Sequence, residues 1–238
     1  MSARSIGEGS KATNESCHPQ PTPGAPQYII GYGSLINSES KGTTSQETGP
    51  NIPVNVTGLA RHWNAQGTSI TASTTYLGIL RDEKSHINAV IYALTGSEPL
   101  NAIKSYDKRE RFYCRIEIPR SRITILPREE QLESKLEDDA QFWIYENIPE
   151  FTKSPNDKYP IVQSYVDIFI SGCMEQEEKF GLKGFAETCV ESTKGWNLHW
   201  VNDRLTPRRP SKYQPMAYKI DFLLNSKLPE EFKHIKIE

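Results

Sequence analysis

The chain has 238 residues, enough for one well-filled core with tails or for two small cores. A formal net charge of −2 and a pI near 6.3 leave no electrostatic footprint for nucleic acid or an anionic membrane, and no apolar run is long enough to span a bilayer. Hydrophobic content of 36% and a mean hydropathy of −0.60 are low for a compact enzyme, with much of the polarity gathered in loops and ends.

Residues 1–26 are rich in Ser, Gly and Pro, carry Ile6 as their single bulky aliphatic residue, and read as a disordered tail. They lack the apolar core of a secretory signal, so a cytoplasmic protein with reduced thiols is expected. The cysteines at 17, 114, 173 and 189 show no pairing-like spacing. A single domain is expected over 27–225, with a C-terminal tail at 226–238.

The domain opens on "QYIIGYGSLI", residues 27–36. Tyr28, Ile29 and Ile30 have strand character, but a buried strand has no use for Gly31-Tyr32-Gly33-Ser34. Glycine costs backbone entropy there and packs nothing. The segment fails as a nucleotide loop, because no Gly-Lys-Ser/Thr follows and a third glycine is missing. It fails as a nucleophile elbow, because no glycine stands two residues after Ser34. A bulge or turn remains, as does a small nest of backbone N–H groups suited to a carboxylate or developing oxyanion.

A long polar loop, 37–51, follows. "IPVNVTGL" alternates with period two, and "TTYLGIL" and "NAVIYALT" read as strands around a charged turn, "RDEKSH". The period becomes helical over 97–112, with Ser97 as N-cap and Pro99 in the first turn. On this helix Glu110 shares a sector with Ile103 and lies near Tyr106, whereas Lys104, Lys108 and Arg109 point elsewhere. A carboxylate on the buried face is costly unless paired or functional. Arg111 or Arg115 would neutralise it in a purely structural role, or the helix would fray before its last turn.

Strands resume in "FYCRIEI", "SRITIL" and "QFWIYEN", the last two separated by the charged run "PREEQLESKLEDDA". "PIVQSYVDIFISGCMEQ" then places Ile161, Tyr165, Ile168, Phe169 and Cys173 on one helical stripe. The basic run "TPRRPSK" (206–212) reads as solvated surface. The order of elements argues an α+β fold, a curved or closed antiparallel sheet with helices packed outside. The five histidines form no i, i+4 pair, so no metal site is expected.

The glycine loop and the later Glu110, in this order, resemble the gamma-glutamylcyclotransferase-like family. The loop "YIIGYGSLI" is closest to the glutathione-specific branch, and "YDKRERFYCR" sets Glu110, Tyr113 and Arg115 in the matching positions. "VTGLARHWN" and Tyr145 in "FWIYEN" add to a similarity covering roughly residues 27–175. Two departures are Asn37, where the branch has an aromatic residue, and segment 192–213, which has no counterpart in the family core.

The resemblance implies a small curved or closed, barrel-like mixed β-sheet with flanking helices. It implies internal cyclisation of a small-molecule γ-glutamyl amide to 5-oxoproline without cofactor or metal. It also implies Glu110 as acid and base, with Ile30, Gly31, Tyr32, Gly33, Ser34 and Leu35 binding substrate and Tyr113 and Tyr145 orienting it. A cyclotransferase for γ-glutamyl-amines or a γ-glutamyl-protected metabolite is the alternative, and a catalytically silent ligand-binding member is another. Oligomeric state is not legible.

Overall fold

The structure is a computed structural model describing residues 17–67, 73–96, 99–128, 130, 132, 136–209 and 216–238. Ser97, the expected N-cap, lies outside the described residues. Strand β1 (Gln27–Gly31) is buried at every position. It pairs antiparallel with β3 (Thr75–Ala93) and parallel with β6 (Gln141–Asn147). An uninterrupted apolar run suits this central place, with both faces covered.

The remaining elements, in chain order, are α1 (Ser38–Gly42), β2 (Ile52–Gln66), α2 (Pro99–Arg109), β4 (Tyr113–Glu117) and β5 (Ile123–Ile125). After β6 come β7 (Ile161–Val162), α3 (Gln163–Phe180), α4 (Phe185–Glu191), β8 (Thr193–Lys194), β9 (Trp200–Asn202), α5 (Ala217–Lys227), α6 (Pro229–Phe232) and β10 (Lys236–Ile237). Among the described residues the main sheet runs β4-β6-β1-β3-β2-β5, and β8 also pairs with β2. β7, β9 and β10 form a second, smaller sheet.

The architecture is α+β, with a mixed sheet and flanking helices. Two expectations are corrected. The sheet is not purely antiparallel, because β1–β6 and β2–β8 are parallel pairs. Nor is it a closed barrel, because its hydrogen-bonded path ends at β4 on one side and at β5 and β8 on the other. Curvature brings the end of β6 onto the far half of β3, where Asn147 takes the place of a strand partner. Its Oδ1 accepts Ile79 N–H at 2.9 Å, and its Nδ2 donates to Asn64 Oδ1 at 2.9 Å.

"RDEKSH" is not a turn between two strands. β3 continues through it as a bulge: Thr57 pairs with His86, but Leu59 pairs with Arg81. Asp82 accepts Lys84 N–H at 3.1 Å and Ser85 O–H at 2.5 Å, absorbing the extra residues locally without reversing the chain. Opposite stands Gly58, at φ 82°.

The stripe expected on α3 holds at Tyr165, Phe169 and Cys173, whereas Ile168 is only half-buried and Ile161 belongs to β7. The thiols depart from expectation. Disulfides join Cys17 to Cys114 and Cys173 to Cys189, across sequence separations of 97 and 16 residues that conceal their proximity.

Of the expected N-terminal tail, residues 17–26 are described, and His18 N–H donates to Arg115 O at 3.1 Å. The stretch read as a C-terminal tail contains α6 and β10, and β10 pairs in parallel with β9. Among the described residues, no helix is long and apolar enough to cross a membrane.

Candidate functional site

Beyond Gly31 the chain folds into a single 3-10 turn, Ser34–Ile36, and then α1. Asn37 caps α1, its Oδ1 accepting Ser40 N–H at 2.8 Å. An aromatic side chain could not make this cap. The 37–51 loop is tied down. Lys41 Nζ donates to Gly49 O and Asn51 Oδ1, each at 2.8 Å, and Asn51 Nδ2 donates to Ile36 O at 2.7 Å. Burial lowers the Lys41 pKa to about 8.

The two loop glycines answer to close approach, since neither has a positive φ. A Cβ at Gly31 would lie 2.9 Å from both Leu35 Cβ and Leu35 O, so this glycine lets the loop fold back on itself. A Cβ at Gly33 would lie 2.8 Å from the Tyr165 hydroxyl. The neighbour that needs Gly33 is therefore a protein phenol from α3. The Ser34 amide and hydroxyl both bear on that phenol oxygen and hold its pKa down, against a larger upward push from burial. An N–H of the expected anion nest is thus directed at Tyr165.

The loop is braced from beneath by Arg61, buried in β2. Its Nη1 donates to Tyr32 O at 3.0 Å and Asn88 O at 2.9 Å. Nε reaches Thr193 Oγ1 at 2.7 Å, and Nη2 reaches Asn88 Oδ1, Cys189 O and Ser192 Oγ at 2.9, 3.0 and 2.8 Å. Burial pulls its pKa down to about 9, which still leaves it charged at neutral pH. Its hydrogen-bond partners are all neutral oxygens, and its guanidinium lies over the Phe169 ring at 4.7 Å.

Glu110 lies one residue beyond α2, in the turn into β4. Its N–H donates to Tyr106 O and its carbonyl accepts Tyr113 N–H, both at 2.8 Å. The helix thus stops just short of Glu110 while its last i, i−4 bond still aims the residue. Ile103 and Tyr106 are buried on the same side, as the helical spacing predicts.

The Glu110 side chain retains 17% exposure, and desolvation is the largest influence on it, raising its pKa. The cations of Arg109 and Arg209 and a hydrogen bond from Arg109 pull the other way. Its negative charge in turn helps push up the pKa values of Tyr32, Tyr76, Tyr113 and Tyr165, behind the larger effect of their burial.

The partner of Glu110 is neither Arg111 nor Arg115. Arg111 lies over the Phe112 ring, and Arg115 pairs with Asp107 at 2.9 Å. Instead Arg109 Nε meets Glu110 Oε1 at 3.0 Å. The same guanidinium donates from Nη2 to Ser34 Oγ at 3.2 Å and Ser40 Oγ at 3.1 Å, and from Nη1 to Ser40 O at 2.8 Å and to Thr44 Oγ1. The helical wheel directs Arg109 away from Glu110, but the wheel describes Cβ directions and a long side chain reaches back across them.

Tyr113 and Tyr32 are buried, donating respectively to Leu77 O at 2.9 Å and Tyr145 O at 2.7 Å. Ile30 is buried within β1, and Leu35 forms part of the turn. Tyr145 joins the group through its carbonyl, whereas its hydroxyl donates to Asp107 Oδ1 at 2.8 Å. Tyr76 and Tyr113 also line a cleft of about 230 Å³, part of it open solvent, with Phe112, Asn147 and Phe151. Among the described residues, no group of three or more His, Cys, Asp or Glu side chains is placed to hold a metal.

Sequence reading missed Arg109, Tyr165, Tyr76 and Arg209. Tyr165 was visible only as a core position, and Tyr76 only as a strand residue. Arg209, from the basic run read as solvated surface, stands 5.4 Å from the Tyr76 ring centroid and donates to its phenol oxygen.

No protein-family model and no curated protein matches the chain. Two of the solved structures similar to it are gamma-glutamyl cyclotransferases. One shares 14% identity, covering 84% of this chain and 99% of that one, at a TM-score of 0.45. The other, a yeast cyclotransferase specific to glutathione, shares 13% over 71% of this chain and 97% of its own, at 0.44. An uncharacterized human protein shares 15%, over 68% of this chain and 85% of its own, at 0.43.

Proposed function

We propose that this protein is a gamma-glutamylcyclotransferase, with Glu110 as its acid and base. One observation carries the reading: the Arg109 guanidinium binds the inward Glu110 carboxylate and Ser34 of the glycine loop together. The two features that the sequence singles out, 76 residues apart, belong to one site.

In the reaction the α-amine of a γ-glutamyl compound attacks its own γ-carbonyl. Glu110 takes a proton from the α-ammonium, the new C–N bond closes the five-membered ring, and charge develops on the carbonyl oxygen. Protonated Glu110 then returns the proton to the departing nitrogen, whose bond to carbon breaks as the carbonyl re-forms. The second proton of the ring nitrogen passes to the released amine, giving 5-oxoproline and a free amine or peptide as its ammonium. A carboxylate with a raised pKa suits both proton transfers. Nucleophile and electrophile share one molecule, so holding the folded conformer supplies much of the rate.

Backbone N–H groups of residues 30–35 serve the developing oxyanion. For Ser34 N–H this requires the Tyr165 phenol to yield or to share the site. Tyr113 orients the substrate from the floor, and Tyr145 acts through its hold on Tyr32. Incubation with glutathione, γ-glutamyl-alanine and a γ-glutamyl-lysine, followed by assay of 5-oxoproline, tests the reading. Product from at least one is expected, and product from none rejects it.

A further inference from the structure

Segment 192–213 lies outside the resemblance to the cyclotransferases, yet its described part, 192–209, is built into the core. Trp200 is fully buried, and Trp196 sits between it and Trp63, at centroid distances of 5.0 and 4.9 Å. Arg204 pairs with Asp167 and Asp221, each at 2.7 Å. Arg208 Nη1 donates to Ser73 O at 2.6 Å, and its Nη2 meets Glu238. These anchors fix the backbone at Arg209, whose own N–H donates to Ser164 Oγ at 3.1 Å.

Three arginines bear on the site, and they differ in the partners they hold. A guanidinium has five N–H donors. Arg109 commits all of its donors to Glu110, Ser34, Ser40 and Thr44. Arg61 commits all of its donors beneath the loop. Arg109, Arg204 and Arg208 also have carboxylate partners, at 3.0, 2.7 and 2.5 Å. Among the described residues Arg209 has no such partner. It rests against Tyr76 and donates to its phenol oxygen, Tyr76 packs on Tyr165 at 5.1 Å, and the Arg209 charge is felt by Glu110.

On the proposed reaction, the α-ammonium and α-carboxylate of the substrate sit on one carbon. Groups that read them must therefore be neighbours, a base for one and a cation for the other. We propose that Arg209, carried in by residues 192–208, binds the α-carboxylate of the γ-glutamyl unit and so selects substrates in which that carboxylate is free. Planar bidentate pairing suits a guanidinium that holds no carboxylate ion pair among the described residues.

The test compares γ-glutamyl-alanine with its α-carboxamide counterpart for turnover, and 5-oxoproline with 5-oxoprolinamide for binding by calorimetry. Each is measured on the full chain as wild type, Arg209→Gln and Arg209→Lys, with melting temperature recorded for all three. The wild type should favour the acid over the amide by roughly 10- to 100-fold, the scale of a charged hydrogen bond. Arg209→Gln should lose most of that preference through KM, and Arg209→Lys should keep much of it. An unchanged preference in Arg209→Gln overturns the inference and leaves the reaction standing. A wild type that turns nothing over but binds 5-oxoproline with an Arg209-dependent preference sustains the inference and removes the reaction. Neither turnover nor binding in the wild type removes both.

Discussion

Replacing Glu110 by Gln keeps the volume and removes the ability to carry a proton. On the proposed chemistry 5-oxoproline formation falls by about 10²-fold or more, the scale of a lost general acid–base. The structure also decides what happens to stability. Arg109 loses one partner but keeps Ser34, Ser40 and Thr44, so it is not stranded, and the amide oxygen at Glu110 can still accept its Nε–H. Desolvation outweighs pairing at Glu110, because its pKa is raised despite two nearby arginines. The ionised carboxylate is thus a net cost to the fold, and stability should stay within about 1 kcal/mol of wild type or rise.

The pH dependence gives the sign. A carboxyl with a folded pKa above its unfolded value binds its proton more tightly in the native state, so its cost is absent at pH below the unfolded pKa. The cost grows as pH rises through the interval between the two values and is complete above the folded one. The melting temperature of Glu110→Gln, relative to wild type, should therefore climb from acid towards neutral pH. Calorimetric melting at several pH values, beside a 5-oxoproline assay on the same preparation, measures both quantities. A gap that narrows with pH would show that the Arg109 pair dominates, and undiminished turnover would end the catalytic assignment.

Gly33→Ala should cost about 1–3 kcal/mol, because its methyl meets the Tyr165 hydroxyl at 2.8 Å; adding Tyr165→Phe should restore most of this in urea unfolding, and no recovery would refute the contact. Arg61→Ala strands the carbonyls of Tyr32, Asn88 and Cys189 and should cost about 3 kcal/mol or more, with a denaturation midpoint unaltered by the substitution as the contrary result. Thiol titration of the denatured, unreduced chain should find no free thiol, and Cys17→Ser should lower stability by about 2–4 kcal/mol through release of a 97-residue span.

What was legible followed from short-range pattern. The apolar run at 28–30, the alternation at 52–56 and the helical spacing around Ile103 and Tyr106 each mark which faces are buried, and those faces are buried. "RDEKSH" was misread because a polar, charged run is also what an exposed bulge requires. Composition cannot tell whether the chain reverses there or continues. Only the register against β2 can, and register is a property of two strands together. Barrel closure was beyond reach for the same reason, since it depends on whether the outermost strands meet.

The site was legible in part, and the division has a physical cause. Gly31, Gly33 and Glu110 stand out because each breaks a local rule: glycine where a strand should pack, and a carboxylate on an apolar face. Arg109, Tyr165 and Arg209 break none. An arginine at a helix end, a tyrosine in a core stripe and an arginine in a basic loop are all ordinary where they stand in sequence. Their relation to the site comes from long side chains and from packing between segments more than 50 residues apart. Arg209 is 99 residues from Glu110, and it is held near by the burial of Trp200, the ion pairs of Arg204 and Arg208, and its own N–H bond to Ser164. A sequence thus discloses the residues that a site strains, while those that complete it by reach emerge only from the folded chain.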